Sequence, residues 1–381
     1  MQTDFSAVEV SMRTTLHHLI LGLILSLLIG SPCLATQEAA KPVFSAFPCP
    51  RTLTLCGEPM PLENPEVFEM LDREFTVTVW DQGRVFMLLK RAARYFPYIE
   101  KALRSAGLPD DLKYLSVAES SLIPYARSSS GALGLWQFIS ETGQRKGLRK
   151  DQTVDERMAL ERSTEAAILY LSQLKEMFGS WTLAMAAYNC GENRLQKEID
   201  EQKVSDYYRL NLPLETERYV FRIAAIKLIL ENPRRYGYIL PEDQLYRPLQ
   251  FDTVTVNISI PVHITDLAQA IGTDFKVIKE LNPELLGYHL PTGQYSLKVP
   301  AGSGRNALAA LARLNQAAPS KNSNPVPASP LSQSQGFYVV QQGDTLTRIS
   351  TVTGVPVERL KALNGLEGSH ITVGQKLKLT P

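Results

Sequence analysis

Asp110-Asp111 opens a helical stretch in which Leu112, Leu115 and Ala118 share one face, and Glu119 falls in the last turn of that stretch. The paired aspartates complement the positive end of the helix dipole. Glu119 stands at the negative end among apolar neighbours, and both conditions disfavour a carboxylate, so its pKa is expected to rise towards that of a general acid. A Glu at a helix end is ordinarily a solvated surface group. What marks this one is the sequence that follows: Glu119-Ser120-Ser121, then Ser128-Ser-Ser-Gly131-Ala-Leu-Gly134-Leu-Trp136-Gln137-Phe138 and Thr142-Gly143, then Ala187-Tyr188-Asn189, then Glu217-Arg218-Tyr219-Val220.

Helices must position these motifs. From Val85 to about Tyr238 apolar residues recur at three and four, as in Ile168, Leu171, Leu174 and Phe178 or in Ile223, Ile226 and Leu230. Breaks fall at Gly107-Leu-Pro109, Ser128 to Gly134, Gly147, Gly179, Gly191 and Asn232-Pro233, which leaves helices of ordinary length. After Pro241 the pattern becomes alternating over Val254 to Ile260, followed by a helical run from Leu267 to Leu281, a small β/α module. Ala301 to Gly336 holds four Pro, six Ser and three Lys or Arg with no acid, so beyond a short helix at Leu308 to Leu314 it reads as a flexible tether. A strand, helices and a strand follow from Tyr338 to Leu379. A shift of 82 positions lays Ile264 on Leu346, Leu267 on Ile349, Gly272 on Gly354, Ile278 on Leu360 and Leu281-Asn282 on Leu363-Asn364, an internal repeat.

The chain has 381 residues, 44% hydrophobic and 21% charged, which suits a globular protein of more than one domain. Lys+Arg 40 against Asp+Glu 39 leaves +1, so no global basic surface argues for nucleic acid. Leu19 to Ile29 is apolar but shorter than the roughly 20 residues a bilayer requires, which excludes a multi-pass membrane protein. With Arg13 before it and Gly30 to Ala35 after it, the stretch reads as a secretory signal peptide, and a soluble exported form is expected. Membrane anchorage would arise only from acylation of Cys33, for which Pro32 is a poor neighbour. Export would let Cys49 and Cys56 pair, stabilising by roughly 2.5 kcal/mol. Cys190 reads as a small buried residue. The five His are scattered, and neither a metal cluster, a phosphate loop nor a Ser-His-Asp triad is visible, so no metal and no cofactor are expected.

The four motifs, in this order over roughly residues 85–235, resemble the lytic murein transglycosylases. The resemblance implies a mainly α, lysozyme-like (SLT) catalytic domain of goose type, followed by small βααβ LysM-type modules. In layout the chain is similar to the membrane-bound lytic transglycosylase D type. The expected organisation is a signal peptide at 1–35, an N-terminal extension at 36–84, the SLT domain at 85–240, a degenerate LysM-like module at 250–300, a linker at 301–336 and a LysM domain at 337–381. Gly343-Asp344-Thr345-Leu346, Leu363-Asn364 and Ile371-x-x-Gly374 carry the LysM resemblance, which implies that Gly343 to Leu346 and Asn364 to Ile371 grip N-acetylated glycan. The first copy has Val262-His263-Ile264 in place of Gly-Asp-Thr and reads as structural.

Ordinary glycoside hydrolysis uses two carboxyl groups. Here one acid lies in a matched motif, so Glu119 would serve twice, donating to the glycosidic oxygen and then accepting from the attacking hydroxyl. The resemblance implies that this hydroxyl is the substrate's own C6 group and that the product is a 1,6-anhydro-N-acetylmuramoyl end of peptidoglycan. Gly131 and Gly134 would let backbone approach the sugar, Gln137 offers an amide, Trp136 an apolar wall, and Ser120 a hydroxyl at the reacting ring. Tyr188 and Asn189 should line the cleft, and the resemblance suggests Tyr219 as the group that orients Glu119. Arg127 and Arg218 could meet stem-peptide carboxylates, although a solvated face suits both better. A monomer in the bacterial periplasm or cell envelope is expected, with peptidoglycan strands as partner. Two other readings stay open: a lysozyme-like hydrolase with Asp155, Glu192 or Glu215 as second acid, and a non-catalytic wall-binding protein.

Overall fold

Asn64 starts the first helix of the computed structural model, which describes residues 46–316, 337–340 and 344–380. Its side-chain oxygen accepts from the Glu66 N–H (3.0 Å), with Pro65 in the first turn, and α1 (Pro65–Trp80) buries Val67, Leu71, Phe75 and Val79 at successive fours. The helix α2 (Gln82–Ser105) follows after Asp81. A 3-10 turn at Asp110–Leu112 leads into the short α3 (Lys113–Ser120), which ends at Ser121 in the left-handed region. Then come α4 (Ser140–Arg145), α5 (Leu160–Phe178), α6 (Trp181–Cys190), α7 (Glu192–Gln202) and α8 (Leu214–Glu231). The centre is α8, buried almost all round by Tyr219, Val220, Ile223, Ala224, Ile226 and Ile229, with α1, α3 and α6 packed against it. That is the helical block expected from the three-and-four spacing.

The expected boundary at 85 does not follow the packing, because Leu55, Leu71 and Phe75 belong to the same core as Leu115 and Ile223. A hairpin of β1 (Thr54–Leu55) and β2 (Glu58–Pro59) sets Glu58 at the start of α6, where it accepts from the backbone N–H of Trp181 (2.8 Å) and pairs with Lys175 (2.8 Å). The Cys49–Cys56 bridge is not present: both are buried free thiols. Cys56 occupies the hairpin turn at φ 53 with its N–H on Asp111 (2.6 Å). Its charged neighbours are Asp111, Glu58 and Lys227, whereas Asp72 and Arg51 flank Cys49, and burial pushes both thiols up, Cys49 to about 12. The proposed signal peptide and Cys33 lie outside the described residues. Among the described residues no helix is long and apolar enough to cross a membrane.

The second unit pairs β3 (Phe251–Ile258) antiparallel with β6 (Gly293–Pro300), Val254 opposite Leu297, and encloses α9 (Ile264–Ala270) and α10 (Phe275–Leu281) with the short pair β4 (Val262–His263) and β5 (His289–Leu290). The first part of the tether expected from 301 is structured, and the rest of it, 317–336, lies outside the described residues. Residues Gly304–Gln316 form α11, which buries Ala307, Ala310 and Leu311 in the module, and the Asn315 side chain closes it by accepting from Ser259 N–H (2.6 Å). The last unit has β7 (Phe337–Val339) antiparallel to β8 (Lys376–Lys378), with α12 (Leu346–Thr353) and α13 (Val357–Asn364) over a core that includes Val340, Ile349, Leu360 and Leu377. The repeat is visible in detail. Asn282 donates to Lys298 O (2.7 Å) and accepts from Lys298 N–H (2.8 Å), and Asn364 does the same with Lys378 (3.0 and 2.7 Å), each tying a helix end to the closing strand.

Candidate active site

Glu119 occupies the last turn of α3 and opens on a groove of about 840 Å³, a size that suits a bound saccharide. The Tyr219 hydroxyl, from the middle of α8, donates to Glu119 Oε1. Burial pushes the carboxyl up to about 7, with nearby Glu215 adding to it, while the Tyr219 hydrogen bond and the Arg222 charge pull it back. The rise expected from the sequence is therefore present, and loss of solvent is its leading cause. Near neutral pH such a group can both hold and release a proton.

Gln137, Tyr188 and Asn189 line the same groove. Gln137 stands at φ 49 and donates from its amide nitrogen to the carbonyls of Ala126 (2.9 Å) and Gly134 (2.8 Å), which turns its oxygen into the group left for a ligand. The Tyr188 hydroxyl donates to Trp136 O (2.8 Å), and its ring packs at 5.3 Å from that of Tyr170 and 6.0 Å from that of Phe138, an aromatic wall. Asn189 Oδ1 accepts from the Thr216 hydroxyl (2.9 Å).

Three expected groove residues are elsewhere. Ser120 is buried and its hydroxyl donates to Ser116 O (3.1 Å) and Leu135 O (2.8 Å), so it fastens the end of α3 and does not reach a sugar. Trp136 is fully buried with its indole N–H on Thr164 Oγ1 (2.9 Å), a core side chain. Gly134 has φ +89, and a Cβ there would lie 1.8 Å from Arg157 O, so its need for glycine comes from a crossing backbone and not from substrate. Arg218 is held by buried Glu74 (2.6 Å), and Arg127 is exposed. In the last unit Gly343 lies outside the described residues. Leu346 is core and Asn364 is spent on backbone, which removes both from a glycan surface, while Asp344 accepts from the Tyr338 hydroxyl (2.9 Å) and Thr345 is exposed.

The three candidate second acids separate. Asp155 is buried in a two-pronged pair with Arg157 (2.8 and 2.7 Å) and is out of the groove. Glu215 and Glu192 do line it. Hydrogen bonds from Arg222 (2.9 and 3.3 Å) to both oxygens hold Glu215 below the usual carboxylate range. Burial pushes Glu192 up, but the Tyr170 hydroxyl (2.5 Å), the backbone and Arg145 outweigh it and the carboxyl is lowered. Sequence reasoning left out Tyr170 and Arg145 as groove residues; the one signal was that Glu192 closely follows Ala187-Tyr188-Asn189.

Replacing Tyr219 by Phe removes a donor to the ionised form of Glu119, so the carboxyl should rise further above 7. Activity that requires protonated Glu119 should then extend to higher pH, while the turnover rate falls roughly 10- to 100-fold from lost orientation. A pH–rate profile of Tyr219→Phe checks both.

Residues 96–211 match the family model of the transglycosylase SLT domain and residues 338–380 that of the LysM domain. Over 295 residues the chain is 33% identical to the membrane-bound lytic murein transglycosylase D of Escherichia coli K12, covering 76% of this chain and 64% of that protein. It is 36% identical over 104 residues to the peptidoglycan transglycosylase gp16 of Escherichia phage T7, covering 26% of this chain and 8% of that protein. Among solved structures, the 70 kDa soluble lytic transglycosylase of Escherichia coli is similar over 47% of this chain and 30% of its own, at 16% identity and a TM-score of 0.33.

Proposed function

We infer, from a chain that carries a transglycosylase SLT domain ahead of a LysM domain, that it is a peptidoglycan lytic transglycosylase of the bacterial cell envelope. The observation that carries the reading is Glu119: a carboxyl raised to about 7, oriented by Tyr219, at the wall of a saccharide-sized groove. Protonated Glu119 donates to the oxygen that links N-acetylmuramic acid to N-acetylglucosamine, and the C1–O bond breaks. The carboxylate so formed accepts the proton of the sugar's own C6 hydroxyl as that oxygen bonds to C1, with the N-acetyl group stabilising the cationic centre. The anhydro ring closes, Glu119 is protonated again, and no water is consumed.

A retaining or inverting hydrolase needs a second carboxylate free to attack or to activate water. Glu215 and Glu192 are the two in the groove, and each is tied to an arginine, which supports the single-acid route. Digestion of purified sacculi tests the reading: the suspension should clear without a matching gain in reducing ends, whereas one reducing end per cut would make the enzyme a hydrolase.

The LysM domain would hold the enzyme to the wall. Removing residues 337–381 should weaken co-sedimentation with insoluble sacculi about 10- to 100-fold and leave cleavage of soluble glycan strands nearly unchanged, because tethering acts through effective concentration. Equal loss of both would contradict that division.

A further inference from the structure

The βααβ unit at 251–316 is docked on the catalytic domain by a short strand contact. Val154 pairs antiparallel with Leu285, the Asp155 N–H donates to Glu284 O (2.8 Å), and the Leu286 N–H donates to Thr153 O (2.8 Å). The Val154 side chain is buried in the module's own core, and Lys298 of β6 forms an ion pair with Glu161 at the start of α5. The contact continues inward. The Asp155 carboxylate grips the Arg157 guanidinium, whose Nη1 donates to Gly131 O and Phe138 O (both 3.0 Å), and the Arg157 carbonyl fills the space above Gly134. Gln137 and Phe138, between and beside those anchors, line the groove that Glu119 faces.

We propose that this module acts in catalysis as a brace: the strand contact fixes Asp155, Asp155 fixes Arg157, and Arg157 holds the Gly131–Phe138 wall in the shape that receives the glycan. Arg157 is thus a positioning residue, and the module at 251–316 has a mechanical duty towards the groove. Asp155, Arg157 and Phe138 are buried and Gly131 is half-buried, so the hydrogen bonds and ion pair that join them are ones whose loss is costly and whose geometry is fixed. The proposal rests on the reading of the groove as the site of glycan cleavage.

Two variants of the full chain test it on soluble glycan strands. Lys298→Glu places an acid against Glu161 at the seam; hydrogen exchange at 151–157 and at 131–138 should quicken, and kcat should fall 5- to 10-fold. Adding Glu161→Lys restores an ion pair of reversed sense and should return kcat to within about twofold of the original. Arg157→Lys keeps a charge beside Asp155 but loses the Nη1 donor shared by the Gly131 and Phe138 carbonyls, and should lower kcat at least 10-fold with a smaller change in KM. A kcat within twofold of the parent in either Lys298→Glu or Arg157→Lys overturns the brace, as does failure of the swapped pair to rescue. If the parent itself does not cleave glycan, the functional reading fails, and the brace is then judged by exchange at 131–138 alone, where no change in Lys298→Glu overturns it.

Discussion

Glu119→Gln should abolish glycan cleavage, lowering turnover by roughly 10³-fold, because the amide can neither donate a proton to the leaving oxygen nor accept one from the attacking hydroxyl. The same substitution should make the fold more stable above neutral pH. The native carboxyl is raised from 4.5 to about 7, so the stability it contributes is fully present below 4.5 and is lost as pH rises through 7. Glutamine has no such loss. At pH 8 the variant should therefore exceed the parent by up to about 3 kcal/mol, and at pH 4 the two should agree. Denaturant titrations at the two pH values check the sign. A variant that clears sacculi at the parental rate would show that another acid does the work.

The second large effect concerns Gly134. In Gly134→Ala the new methyl lies 1.8 Å from the Arg157 carbonyl oxygen and 2.8 Å from its carbon, both backbone atoms, at a φ of +89 that already disfavours a side chain. Relief requires the 131–138 wall and the Arg157 turn to part, at a cost of more than about 3 kcal/mol. Gly131→Ala is the matched control. Its φ is +81 with nothing within 4 Å, so only the backbone preference is lost, about 1 kcal/mol. Urea midpoints of the two variants should differ widely; equal midpoints would mean that the wall yields to the methyl at little cost.

The contrast between those glycines shows what was legible in the sequence. Both were read as points of close approach, and at Gly134 the approach is real, but the partner is a backbone 23 residues onward that spacing does not reveal. Glu119 was readable from residue type and helical phase, whereas Gln137, Tyr188, Asn189 and Tyr219 were readable through motifs that resemble the lytic murein transglycosylases. The first three line the groove with Glu119, and Tyr219 is a buried donor to its carboxyl. Trp136 and Ser120 sit in the same motifs yet face inward, since their hydrogen-bond partners, Thr164 and Leu135, lie on other segments. Asn364 carried the LysM resemblance for an architectural reason, the strand tie that Asn282 repeats. The N-terminal hairpin escaped notice because its anchors, Trp181 and Lys175, stand more than a hundred residues away. The helix expected at Leu308 to Leu314 runs from Gly304 to Gln316 and packs into the module, and its extent was not readable because small residues, Ala307 and Ala310, provide much of its buried face.

In the proposed mechanism one carboxyl both gives and takes a proton while the sugar closes on itself. Digestion of sacculi in oxygen-18 water, followed by mass spectrometry of the released muropeptides, tests this most directly. Products one water lighter than hydrolysis would give, without isotope at the muramoyl end, are the predicted result. Muramoyl ends that carry oxygen-18 would mean that water, and with it a second carboxylate of the groove, completes the reaction.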